Sequence, residues 1–204
     1  MKKVFCGFLF LLSLICIFCD AADYSSELQS AYDWAYQNWV TTQDSIEKAN
    51  MKWKITRAEM AKMMVWFSVN VMGNELPTWV LCSFDDVKGI NPSLEKAVIQ
   101  SCELWIMWQW IKAFRPNDFV TRAEFWTVLS RALWWNKNEW WEKYYQNHLK
   151  ALKSEWIMNN ISSPMGSEIR GYVMLMLMRT ANKDFFDDVS ENDNQIADVI
   201  KMLD

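Results

Sequence analysis

Glycine is scarce in this chain, at 5 of 204 residues, well under the usual share of about 7%. Histidine is scarcer still. His148 is the single one, which leaves no second imidazole for a metal site and no nucleophile with a histidine base in a recognisable motif. It lies in a helical stretch from Tyr144 to Leu149 and reads as a surface or packing residue. Positive charge is not in excess either: 21 Lys and Arg against 25 Asp and Glu give a net charge of -4, which offers nothing to a nucleic acid. Adjacent carboxylates occur at Asp85-Asp86 and Asp187-Asp188, but neighbours in sequence point apart. A glycosidase pair needs two carboxyls facing one bond, so turn or cap roles explain these better. The chain reads as a protein that is not an enzyme and needs no cofactor or metal.

What is present begins with a leader. Lys2 and Lys3 precede an apolar run from Val4 to Phe18, closed by Cys19-Asp20-Ala21-Ala22, the layout of a secretory signal cleaved near Ala21 or Ala22. The run is short of the roughly 20 residues of a membrane span, so contact with a membrane is expected only through this signal. Three of the five cysteines, Cys6, Cys16 and Cys19, leave with the leader. The mature chain keeps Cys82 and Cys102, an even number in an oxidising compartment. They are either two buried thiols or a disulfide, and export favours the bond.

The hydrophobic fraction of 51% is ample for a core, and its periodicity is helical. Leu28, Ala31, Tyr32 and Ala35 share one face of a helix over Tyr24 to Gln37. Thr56-Arg57-Ala58-Glu59 has the spacing of a capping box, in which the Thr hydroxyl accepts from the amide at N3 and the Glu carboxylate returns to the N-cap amide. It opens a helix with Met60, Met63, Met64 and Phe67 inward. The same four residues recur as Thr121-Arg122-Ala123-Glu124, ahead of Phe125, Val128, Leu129 and Ala132 at helical spacing. Setting Arg57 against Arg122 aligns Ile55 with Val120, Met60 with Phe125 and Met64 with Leu129, so the chain repeats internally. Ser93 to Glu103 forms a further helix, and Tyr144 to Glu155 another. A weaker third copy runs from Ser167 to Arg179. There Arg170 aligns with Arg122, Ile169 replaces the capping Thr, Tyr172 replaces the Glu, and Ser163 or Ser167 is left to cap. Met174, Met176 and Met178 read as core. The tail from Lys183 begins with Phe186-Asp187-Asp188-Val189, an echo of Phe84-Asp85-Asp86-Val87.

These pieces resemble the S-layer homology family. Trp105-Ile106 stands where that family ends a first helix with Gly-Ile, Phe114-Arg115-Pro116 supplies its Phe-x-Pro loop, and Thr121-Arg122-Ala123-Glu124 opens its second helix. The resemblance divides the chain into a signal (1–22), repeats over 23–75, 76–135 and 136–180, and a tail over 181–204 that looks like the start of a further repeat. It implies an all-α fold of three helix-loop-helix repeats in a pseudo-threefold arrangement around a central three-helix bundle. It also implies an exported cell-surface module anchored noncovalently to an acidic, often pyruvylated, secondary cell-wall polysaccharide. By position the ligand falls to Arg57, Arg122 and Arg170, with Thr56, Glu59, Thr121 and Glu124 as caps. A guanidinium presents a planar fork of donors to a carboxylate, and free amides at a helix start favour an anion. Because N1 tolerates many side chains, charge reversal at Arg57 and Arg122 is expected to spare the helices. The alternative partner is another envelope protein, met by the helical prongs without glycan binding.

The resemblance also bears on the missing glycine. Glycine and tryptophan together make 5 + 14 = 19 residues, an ordinary glycine count. Trp39, Trp105 and Trp156 each follow a first helix and precede Val or Ile, where helices commonly end on a left-handed glycine. Trp53 precedes a capping motif at a turn. Trp135, Trp140 and Trp141 sit in an Asn/Lys-rich connection, and Trp108, Trp110 and Trp126 complete the set. One cause accounts for all of these: a UGA codon that the source organism reads as glycine and a standard table reads as tryptophan.

Overall fold

A computed structural model describes residues 24–79, 81–107, 112–139 and 143–183. The leader, most of the tail, Asp187-Asp188, Trp108, Trp110, Trp140 and Trp141 lie outside the described residues. Among the described residues the fold is all-α, with six helices: α1 Ser26–Gln37, α2 Arg57–Trp66, α3 Pro92–Glu103, α4 Arg122–Trp134, α5 Gln146–Ser154 and α6 over 170–183. α2 runs on into a π-helical turn at Phe67–Val71, and α4 into a 3-10 turn at Trp135–Asn138.

Both capping boxes form. Thr56 Oγ1 accepts from the Glu59 amide and the Glu59 carboxylate from the Thr56 amide, and Thr121 with Glu124 repeats this. Asn91 caps α3, with Pro92 at N1, where a missing N–H costs nothing. α6 departs from expectation, since neither serine caps it. The helix starts only at residue 170, Ile169 occupies the N-cap place, and the Ile169 amide goes to Glu168 Oε1 at 3.1 Å.

The stretches ahead of α2, α4 and α6 meet in a ring. The Ile55 amide donates to the Glu168 carbonyl (3.2 Å), Glu168 to Val120 (2.8 Å) and Val120 to Ile55 (3.0 Å). The next amides go round the ring in the opposite sense: Arg57 donates to Asp118, Arg122 to Gly166 and Arg170 to Trp53. So do those that follow, Ala58 to Pro116, Ala123 to Pro164 and Gly171 to Met51. At the last of these even a methyl is too large, because a Cβ on Gly171 would stand 2.9 Å from the Met51 carbonyl oxygen. Nine amides at three helix starts are thereby satisfied by other segments rather than by water. α3 packs on α2 and α5 on α4. Arg179 of α6 bonds Glu27 of α1, which joins the two ends of the described chain.

One core runs through these helices. Met60, Met64, Phe67, Phe125, Leu129, Met174 and Leu177 are fully buried, as the helical spacing requires. The Phe84 and Val87 side chains anchor the segment before α3. Between them Asp86 accepts from the amides of Phe114 (2.8 Å) and Arg115 (2.6 Å). Burial works to raise its pKa, but these two amides outweigh that and hold it below the ordinary carboxylate value. Its role is therefore to tie a loop. His148 is a buried packing residue, its Nδ1 2.9 Å from Ser130 Oγ, and burial lowers its pKa despite nearby Glu139.

Cys82 and Cys102 form a disulfide, with Cα atoms 6.1 Å apart and a sequence separation of 20. It fastens the loop after α2 to the end of α3. Reduction is expected to cost about 3 kcal/mol in the loop-entropy picture. Urea unfolding with and without reductant measures this, and thiol labelling of unreduced protein should find neither cysteine reactive.

The tryptophans occupy unusual backbone. Trp39, Trp105 and Trp156 lie at φ 59°, 59° and 58°, one residue past the C-caps Asn38, Leu104 and Glu155. Their amides turn back to Tyr36, Cys102 and Lys153, and the residues that follow, Val40, Ile106 and Ile157, are buried. This is the left-handed helix stop with its hydrophobic contact, ordinarily a glycine site. Trp135 lies at φ 54°, ψ -135°, a region close to glycine-only. Trp53 and Trp126 have no positive φ, so their backbone does not ask for glycine.

Candidate functional site

The three motif arginines sit at equivalent helix starts, yet they do different things. Arg57 was expected to face a ligand and instead serves the fold. Its Nε donates to the Phe114 carbonyl (2.7 Å) and its Nη1 to Glu124 Oε1 (2.7 Å), its guanidinium lies 5.0 Å from the centre of the Phe114 ring, and it is 8% exposed. Burial lowers its pKa, and the Glu124 charge opposes that shift. Arg170 is likewise committed, to Glu59. These two arginines each reach the glutamate of the next motif round the ring. By the same rotation Arg122 would reach residue 172, and there the chain has tyrosine.

Arg122 is consequently the motif arginine without a carboxylate partner. Its two terminal nitrogens donate to the carbonyls of Ser162 (2.6 Å) and Asn160 (2.9 Å), its plane lies 4.7 Å from the Trp126 ring centre, and its Nε has no partner within the protein. It lines a cavity of about 470 Å³ together with Trp126, Asn160, Glu168, Tyr172 and Arg179. Placed between the start of α4, the 158–162 loop and the first two turns of α6, this is a concave space with polar groups converging on one wall.

Glu168 is the residue that sequence reasoning missed. It takes the place held by Ile55 and Val120 in the other two copies, at the centre of the ring, and is 1% exposed. Oε1 accepts from the Ile169 amide, whereas Oε2 has no hydrogen bond of ordinary geometry, the Trp126 indole N–H being turned toward the carboxylate. Burial raises its pKa to about 7, against the pull of that amide, of the Arg122 charge and of the Trp126 indole N–H. A signal was available: the alignment on the arginines puts a carboxylic acid third in a column of two β-branched apolar residues.

Among the described residues the fold is all-helical and carries a cavity with Arg122 on its wall. The chain matches no known protein-family model, and no curated protein matches it in sequence.

Proposed function

We propose that the protein is an exported S-layer homology module of three repeats, at 23–75, 76–135 and 136–180, that holds an acidic cell-wall polysaccharide through the cavity at Arg122. The observation that carries this is the unequal fate of the three arginines. Two are neutralised by Glu124 and Glu59, and the third has no carboxylate partner and lines the cavity. The ring of backbone bonds around Ile55, Val120 and Glu168 supports the pseudo-threefold arrangement, with α2, α4 and α6 as its central helices. In this reading the tryptophans at left-handed helix stops are glycines of the living protein.

Purified cell-wall sacculi supply the test, with and without prior removal of the non-peptidoglycan polymer. Retention is expected on the intact wall only, and Arg122→Glu should weaken it by more than about tenfold while the helical circular dichroism stays unchanged. Equal retention of the variant would remove the glycan reading. The exposed indoles of Trp39, Trp53 and Trp156, 64%, 68% and 81% accessible, favour the second reading, contact with other envelope proteins. That reading loses its surface where these residues are glycine.

A further inference from the structure

Two chargeable side chains around this cavity each keep a buried polar atom outside any protein hydrogen bond of ordinary geometry, Glu168 Oε2 and Arg122 Nε. The Trp126 indole N–H, also buried, is turned to the Glu168 carboxylate and is not free for a guest. Buried polar groups left unpaired are costly and rare in folded proteins. The arginine nitrogen is a donor, as its chemistry fixes. The carboxyl oxygen becomes one only if Glu168 carries its proton. A guest carboxylate has two oxygens, and the donors available for them are the Arg122 Nε–H and, when protonated, the Glu168 O–H. The Arg122 terminal nitrogens are already spent on the carbonyls of Ser162 and Asn160.

We infer that a carboxylate-bearing sugar binds this cavity between Arg122 and a protonated Glu168, so that ligand and proton are taken up together. The inference rests on the glycan reading above and adds a regulator to it. The charged and titratable groups facing the cavity come from three helices. α4 supplies Arg122, α6 supplies Tyr172 and Arg179, and α1 supplies Glu27. Glu27 and Arg179 are paired with each other, and no ion pair joins Glu168 to Arg122. Glu168 is thus the carboxyl whose charge an incoming anion meets. An ionised Glu168 repels the guest and offers it no donor, whereas the neutral acid bonds it. Burial already places the ionisation near pH 7, and a bound anion moves it higher still. Arg122 and Glu168 carry this whether residue 126 is tryptophan or glycine.

The test is calorimetric titration of the full mature chain with a pyruvate-ketal amino sugar, from about pH 5.5 to 8.5. Kd should be level below pH 7 and rise about tenfold per pH unit above it. Glu168→Gln keeps a donor and loses the proton, so its Kd should be flat across the range. If that variant does not fold, the wild type in two buffers of different ionisation enthalpy still reports net uptake of most of a proton at about pH 8. A flat wild-type profile with no proton uptake overturns the inference and leaves the glycan reading standing. So does an unchanged slope in the glutamine variant, which puts the proton elsewhere. Absence of binding at every pH overturns both.

Discussion

Arg57→Glu is expected to destabilise the fold by about 3–5 kcal/mol, the cost of breaking a buried ion pair from one side. The guanidinium is 8% exposed and joins two segments far apart in sequence, through the Phe114 carbonyl and Glu124. Glutamate in its place would set two carboxylates facing each other beneath the Phe114 loop and leave that carbonyl without its donor. Glu124 is partly hydrated and keeps Arg115 at 3.8 Å, which relieves some of the charge and argues for the lower end of the range. Urea midpoints of the single variants measure the effect. Arg122→Glu should move the midpoint far less, because its side chain is not part of an ion pair. A loss of wall binding in the Arg57 variant would then report unfolding and not a lost ligand contact. This corrects the expectation that both arginines could be reversed without harm to the helices. If Arg57→Glu unfolds no more easily than Arg122→Glu, the structural role assigned to Arg57 is wrong.

Replacing Trp39, Trp105 and Trp156 together by glycine is expected to stabilise the protein by about 3 kcal/mol or more. A side chain in the left-handed region costs roughly 1–2 kcal/mol per residue, and all three sit near φ 59°. Little packing is lost in exchange at Trp39 and Trp156, which are 64% and 81% exposed; Trp105, 38% exposed, gives up a ring contact with Trp135. Glycine elsewhere in a helix would do the opposite through backbone entropy, so Ala31→Gly in α1 serves as the control and should destabilise. The positions are three solutions to one local problem, a first helix stopped ahead of a buried Val or Ile. Peptide masses of native material over Glu103 to Lys112 bear on the origin of the tryptophans. Glycine is expected at 105, 108 and 110; indole masses there would exclude recoding.

Much of the fold was legible in the chain itself. A capping box is a contact between residues three apart, so Thr56 with Glu59 and Thr121 with Glu124 announce their helices without reference to anything distant. The inward faces of α1, α2 and α4 follow from spacing for the same reason, and the left-handed stops at 39, 105 and 156 show as a residue type out of place before Val or Ile. Where the local signal is weak the reading slipped: α6 has no capping side chain, and although the alignment of Arg170 with Arg122 puts its first turn at 170, Ser163 and Ser167 drew the cap too far upstream.

The candidate site divides along the same line. The sequence by itself determined where the three arginines stand, each in the first turn of a helix. Which of them is free was decided by tertiary structure, because the partners are residues of the neighbouring motif, 67 positions away for Arg57 and 111 for Arg170. Only the closed ring sets Arg57 on Glu124 and Arg170 on Glu59, and leaves Arg122 opposite a tyrosine. The same closure carries Glu168 into the place where Ile55 and Val120 lie. There the loss of water, a property of the packed centre and not of any stretch of chain, raises an ordinary carboxyl to about 7.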